Sequence, residues 1–264
     1  MDGADFSGPT PLRRQDILGV GVSVIDMDRA VRTIGHWIDR GDRHYVCVTG
    51  VHGLMASQGS PELRTIHNEA GMVTPDGLPL AWLLRLAGHR DARRVCGPDL
   101  MPAVMAASQA RGDRHFLYGA TDDTLARLRH GLLAQAPRAQ IVGSYAPPFR
   151  ALTPAEGDAI VDRINAAAPD VVWVGLSTPK QERWMAAHRA RLAAPVLIGV
   201  GAAFDIHAGL SPRAPALMQA CGLEWLFRMA REPQRLGWRY MWNNPRFLAL
   251  LALHKAGLYR PGAP

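Results

Sequence analysis

One carboxylate stands out by its setting. The apolar run Ala70-Gly71-Met72-Val73 delivers Thr74-Pro75-Asp76-Gly77, and Leu80-Ala81-Trp82-Leu83-Leu84-Arg85-Leu86 follows with the pattern of an amphipathic helix. Pro75 holds the residue before it extended. Gly77 lets the backbone pass close to a ligand or take a positive φ. Asp76 therefore falls at a strand-to-helix junction, where open α/β sheets bind their ligands. The competing reading is that Asp76 only caps the helix behind it, and on this stretch alone capping is the simpler one.

A second candidate is the loop Gly175-Leu176-Ser177-Thr178-Pro179-Lys180-Gln181-Glu182, which follows an apolar run and opens a helix. A glycine, two hydroxyls and free amide donors at a helix N-terminus suit a phosphate, and Gln181 can read an amide or a sugar hydroxyl. The same loop also reads as an ordinary turn capped by Ser177 or Thr178. Gly199-Val200-Gly201-Ala202-Ala203-Phe204-Asp205 approaches the dinucleotide fingerprint. Phe204, however, stands where a third small residue belongs, and the acidic residue comes too early, so a dehydrogenase is not expected. Those glycines can still admit a diphosphate, with Asp205 accepting from a sugar hydroxyl and Arg213 in a loop over the site. His52 and His207 sit near strand ends without a metal-ligand pattern. Structural roles are the simpler reading for both, and His52 is the more open of the two. No nucleophile elbow and no P-loop is present, and no metal or cofactor is expected.

The elements that must position these groups follow from periodicity. Ile17 to Ile25 reads as a strand, and Asp26 caps a helix from Met27 to Arg40. His44 to Thr49 is a strand, and helices follow to Ala70, broken at Gly59-Ser60-Pro61 with Ser60 as cap. Gly88 to Gly97 reads as a linker. Helices over Pro98–Arg111, Thr121–Ala136, Pro154–Ala168 and Pro179–Leu192 then alternate with strands over His115–Gly119, Gln140–Gly143, Asp170–Gly175 and Pro195–Gly201. This alternation predicts an α/β fold, Rossmann-like, with a mainly parallel sheet flanked by helices and ligands at the carboxyl ends of its strands. Those ends are Thr49, Asp76, Gly119, Gly143, Gly175 and Gly201. Leu223 to Tyr259 is helical, with Pro233 and Pro245 restarting helices. Its arginines, Arg228, Arg231, Arg235 and Arg239, are interleaved with Trp225, Trp238 and Trp242, as in a packed helical cap or an interfacial membrane element.

The chain of 264 residues is 48% hydrophobic and 20% charged, enough for a full core. Its net charge of +7 calls for an anionic partner. From Arg213 to Arg260, eight Lys/Arg oppose Glu224 and Glu232. Charge alone would also suit nucleic acid, but no recognisable nucleic-acid module is present. Cys47, Cys96 and Cys221 form no framework or CxxC site, which fits a reducing compartment. Met1 to Arg14 lacks a signal-peptide apolar region and reads as a flexible terminus. No run approaches the ~20 apolar residues of a spanning helix.

Several blocks in order resemble the WecG/TagA/CpsF family of bacterial glycosyltransferases, of the N-acetylmannosaminyltransferase type. They are Val48-Thr49, Thr74-Pro75-Asp76-Gly77, Phe116-Leu117-Tyr118-Gly119, Val142-Gly143, Val174-Gly175 with Pro179-Lys180-Gln181-Glu182, Gly199 to Asp205, Arg213-Ala214-Pro215, and Leu223 to Arg228 with Glu232-Pro233-Gln234-Arg235. The resemblance runs from about Gly19 to Phe247. It implies an inverting, metal-independent transferase that moves a sugar (N-acetylmannosamine, glucose or a related hexose) from a UDP-sugar to a polyprenyl-diphosphate-linked sugar in cell-surface polysaccharide synthesis. It would act in the cytoplasm, peripheral on the inner face of the cell membrane. Carried over, Asp76 is the general base. Thr49, His52, Gly119, Gly143, Tyr145, Gly175, Pro179, Gln181, Glu182, Gly201, Asp205, Arg213, Arg228, Arg231 and Arg235 are the substrate-binding candidates. A core over residues 15–222 would carry a helical tail, 223–264, that closes the site and touches the membrane. Two departures bear on specificity. Val51 stands where the family commonly has asparagine, leaving His52 as the candidate replacement, and Pro148 stands where a glycine often precedes an aromatic. A non-catalytic nucleotide-sugar or lipid-diphosphate binding protein on the same fold is the alternative, and a homo-oligomer is left open.

Overall fold

The computed structural model describes residues 12–261, without the side chains of Arg235 and Arg239. Most of the expected flexible terminus, residues 1–11, lies outside the described residues. The first elements correct the sequence reading. In place of one strand there is a hairpin of β1 (Arg14–Ile17) and β2 (Val20–Ser23). Leu18 and Gly19 both take positive φ at its turn, a conformation that side-chain alternation does not report.

Next come α1 (Met27–Arg40), β3 (His44–Thr49), α2 (Val51–Gln58), α3 (Pro61–Glu69), β4 (Met72–Pro75) and α4 (Leu78–Leu86). Asp26 accepts from the Arg29 amide and Ser60 from the Leu63 amide, as expected; each such cap contributes about 1 kcal/mol. The chain continues through α5 (Gly97–Arg111), β5 (Arg114–Gly119), α6 (Asp122–Gln135), β6 (Gln140–Tyr145), α7 (Pro154–Ala166), β7 (Val171–Gly175), α8 (Lys180–His188), β8 (Val196–Gly199) and α9 (Ala203–His207). After α10 (Ala216–Ala220), the tail holds α11 (Glu224–Arg231) and α12 (Pro233–Lys255). Pro245 does not restart a helix. It lies exposed inside α12, which runs through it, although the Met241 carbonyl loses its usual donor there.

The six central strands pair in parallel in the order β4-β3-β8-β7-β5-β6. Strands such as Val171-Val172-Trp173-Val174 are buried on both faces, which explains their continuous apolar runs. One face of the sheet packs against α2, α3, α4, α7 and α8, and Phe247 of α12 joins that layer. The other face packs against α1, α5, α6 and α9. The helices after β3 and β8, which are neighbouring strands, thus leave to opposite faces, and such a divergence opens a ligand crevice at the carboxyl ends. The β4 edge is covered by the hairpin, with the Val73 amide donating to Ser23 Oγ at 3.0 Å. Among the described residues no helix is long and apolar enough to cross a membrane.

Candidate active site

The ends of β3 and β4 are locked side by side. The Asp76 amide donates to the carbonyls of Thr49 (2.9 Å) and Thr74 (3.0 Å). Gly50 makes this approach possible, because a Cβ there would lie 2.9 Å from the Asp76 carbonyl oxygen. Gly77, at φ +101°, turns the chain into α4 and occupies the cap position itself, with no side-chain cap. Asp76 is therefore not the helix cap. The turn at Gly77 sets it one residue too early to reach the helix's orphan amides, and its half-buried side chain lines a cavity instead.

That cavity, about 390 Å³, lies between the β3 and β4 ends and the tail. His52, from the first turn of α2, faces it and pairs through Nδ1 with Asn243 Nδ2 of α12 at 3.2 Å. Arg94 and Arg228 line it too, with Glu224, Tyr240 and Asn244. The segment read as a linker is in fact pinned to β4. The Val95 amide donates to the Pro75 carbonyl (3.1 Å), and Thr74 Oγ1 donates to the Val95 carbonyl (2.9 Å). These bonds hold Arg94 beside Asp76. Arg94 Nη2 also meets Glu224 Oε2 at 2.9 Å and Asp99 Oδ2 at 3.6 Å, and it donates to Cys96 Sγ at 2.9 Å.

Burial pushes the Asp76 carboxyl up from 3.8 to about 6; Arg94 and Arg228 oppose the shift, while Glu224 and Asp99 add to it. A carboxylate in this range ionises near neutrality and is poised to take a proton. Its folded-state value is raised, so the stabilising contribution belongs to the protonated form, present below pH 3.8 and lost as the pH rises through about 6. At pH 7.5 the charge opposes folding. Asp76→Asn is therefore expected to raise unfolding stability there, by up to about 3 kcal/mol, and to bring little gain below pH 4. Urea unfolding of both proteins at the two pH values measures the difference.

The remaining sequence candidates fall into distinct places. Thr49 is buried at 2% exposure, and its hydroxyl pairs with His67 Nε2 at 3.1 Å, so it braces the site from beneath the surface. His67 Nδ1 lies 2.8 Å from the Leu63 carbonyl, an arrangement in which Nδ1 donates and Nε2 accepts. Gln181 and Glu182, also expected at the ligand, are buried at the start of α8. Glu182 Oε1 accepts from Thr178 Oγ1 (2.8 Å) and Gln181 Nε2 (3.1 Å). Neither Ser177 nor Thr178 caps α8; Pro179 holds that position, and Ser177 has positive φ. Gly201 abuts Gln181 Oε1, 3.4 Å from where a Cβ would stand. Gly119 and Gly175 end adjacent strands, and a Cβ on Gly119 would collide with the Gly175 carbonyl.

Gly143 is not at a strand end. It lies within β6, where the Phe116 ring occupies the space of its missing side chain. Tyr145, which does end β6, stacks on Tyr118 with ring centres 6.2 Å apart. Asp205 is exposed on α9. Arg213 pairs with Asp99 at 2.5 Å, which ties its loop to the Arg94 cluster. Arg231 is exposed at the end of α11, and the Arg235 side chain lies outside those described. The fold thus unites Asp76, His52 and Arg228 in one cavity, with the glycine-lined turns further along the same rim over β8, β7 and β5, and Tyr145 at the end of β6. Sequence reasoning missed Arg94, Glu224, Tyr240, Asn243 and Asn244. Arg94 had one local signal, its place just before a proline-started helix.

The architecture is that of a Rossmann-like α/β protein whose ligand crevice holds a titrating carboxylate beside arginines. The chain belongs to the glycosyl transferase WecG/TagA/CpsF family, whose profile matches residues 15–261; it is a glycosyltransferase. It is similar to a Bacillus spizizenii (strain W23) protein named N-acetylglucosaminyldiphosphoundecaprenol N-acetyl-beta-D-mannosaminyltransferase, at 27% identity over 212 residues, covering 79% of this chain and 78% of that protein. A protein of the same name from Bacillus subtilis (strain 168) is 27% identical over 221 residues, covering 80% of this chain and 83% of that protein.

Proposed function

We propose that the enzyme transfers a hexose or N-acetylhexosamine from a UDP-sugar to a sugar carried on a polyprenyl diphosphate, with inversion at the anomeric carbon and without a metal ion. The names of the two Bacillus relatives support a lipid-diphosphate-linked N-acetylglucosamine as acceptor and N-acetylmannosamine as the first donor sugar to test. The observation that carries the mechanism is Asp76, with its carboxyl near 6, beside the Arg94 guanidinium on one cavity wall. In the reaction the acceptor hydroxyl oxygen attacks the anomeric carbon of the donor. Its proton passes to Asp76, the bond from that carbon to the β-phosphate oxygen breaks, and the electron pair leaves with UDP. Arg94 and Arg228 oppose the charge that develops on the diphosphate, the work a divalent cation does in other transferases. The acceptor lies under the tail by Asp76 and His52. The nucleotide lies along the turns from Gly201 to Gly119.

The division of labour follows from this placement. Residues 15–222 form the catalytic body, and the segment from Leu223 onward closes the acceptor side. Trp238 (73% exposed), Met241 (69%) and Trp242 (54%) on α12 offer apolar surface on a helix that also carries basic residues, and Trp82 and Leu86 on α4 are exposed as well. Such a face suits an anionic bilayer and supports a position at the cytoplasmic face of the membrane, where a lipid-linked acceptor can reach the cavity.

The test is UDP release from a panel of UDP-sugars with an N-acetylglucosaminyl-diphospho-polyprenol acceptor. One donor is expected to turn over, with its rate unchanged by EDTA. A strong loss in EDTA would overturn the metal-free mechanism. UDP binding without turnover on every donor would favour a non-catalytic binding protein.

A further inference from the structure

The contact between Glu224 and Arg94 crosses from the tail to the catalytic body. Glu224 opens α11, and its side chain is 20% exposed; that of Arg94 is 13% exposed. The closest approach of each of three partners to Arg94 falls on one nitrogen. Nη2 meets Glu224 Oε2 (2.9 Å), Cys96 Sγ (2.9 Å) and Asp99 Oδ2 (3.6 Å). A guanidinium has donors on Nε and Nη1 as well. Glu224 makes its closest approach at Nη2, the nitrogen already engaged by Cys96 and Asp99. Those two partners are themselves joined, Cys96 Sγ donating to Asp99 Oδ2 at 3.0 Å, and Asp99 is held in turn by Arg213.

We propose that Glu224 is a positioning residue of the transfer reaction: it fixes Arg94 by Nη2 so that Nη1 and Nε are presented to the leaving diphosphate, and it does so only when the tail is docked. This rests on the reading of Asp76 and Arg94 given above. The tail thereby takes part in catalysis through a residue that acts on Arg94. An undocked tail leaves Arg94 without its Glu224 contact, so departure of UDP is slow until the acceptor side is closed.

The test compares full-length wild type with Glu224→Gln and Glu224→Asp in UDP release against pH, with melting temperature measured alongside. Glu224→Gln keeps the size of the side chain and removes the charge. Its turnover is expected to fall roughly ten- to a hundredfold, the scale of a misplaced catalytic group, with the donor KM changed less than about threefold. Glu224→Asp should recover part of the loss. The acidic limb of the rate profile should also move to lower pH. The groups facing Asp76 are Arg94 and Cys96 on the segment before α5, Asp99 on α5, His52 on α2, Glu224 and Arg228 on α11, and Tyr240 on α12. Glu224 is one of the two anions among them that hold the carboxyl up. A variant that melts earlier but keeps wild-type turnover and limb would reduce Glu224 to a structural tie. Faster turnover or tighter UDP binding in Glu224→Gln would make it a competitor for the phosphate site. Either result overturns the proposal. Wild type that binds UDP yet turns over no donor would overturn the transferase reading beneath it instead.

Discussion

Asp76→Asn is expected to lower turnover at least about a hundredfold while UDP binds as before. Asparagine matches aspartate in shape but cannot take the acceptor proton, so the loss should appear in kcat. The wild-type rate should rise with pH through about 6, where Asp76 becomes the carboxylate, and that limb should vanish from the residual activity of the variant. Because the substitution is also expected to stabilise the fold at neutral pH, unfolding cannot account for the loss. Stopped UDP-release assays with isothermal titration of UDP separate the two effects. Near-wild-type turnover would remove Asp76 from the chemistry. It would pass the base to His52, which faces the same cavity.

Deleting the chain from Leu223 onward is expected to take turnover to background and to release the protein from anionic vesicles. The deletion removes a whole wall of the cavity, including Glu224, Arg228, Asn243 and Phe247. It also uncovers apolar surface. Phe247 is 2% exposed and Leu236 1%, and burial of each such side chain is worth about 1.5–3 kcal/mol. A companion variant, Trp238→Ser with Trp242→Ser, alters exposed positions only and should lose vesicle binding while keeping its melting temperature. Vesicle co-sedimentation and UDP release on both proteins provide the check. Retained turnover in the truncated chain would show that the body is a complete enzyme. Vesicle binding by the truncated chain would move the membrane contact to the body, with Trp82 and Leu86 the first residues to examine.

Several elements could be read directly. Asp26 and Ser60 cap the helices assigned to them, and the apolar runs at Tyr45 to Val48 and Val171 to Val174 are buried strands. Caps and periodicity are set within about four residues along the chain, which is why a single sequence displays them. The errors fall where a few backbone angles or a distant partner decide. The turn at Leu18-Gly19 split one expected strand into a hairpin. The chain turn at Gly77 withdrew Asp76 from the cap position. The Phe116 ring claimed the space at Gly143.

The sequence by itself determined the parallel α/β body and the family, and it singled out the Thr74-Pro75-Asp76-Gly77 turn as a candidate, since these reside in local order and spacing. Only the tertiary structure decided what surrounds Asp76. Arg94 reaches it because Val95 is hydrogen-bonded to Pro75, and His52 meets Asn243 across 191 positions of chain. Glu224 and Arg228 arrive on a helix whose own sequence shows only an amphipathic, basic segment. Such contacts depend on the three-dimensional path between segments, which no local pattern encodes. The raised carboxyl of Asp76 has the same origin, since desolvation and neighbouring charge exist only once those segments have closed around it.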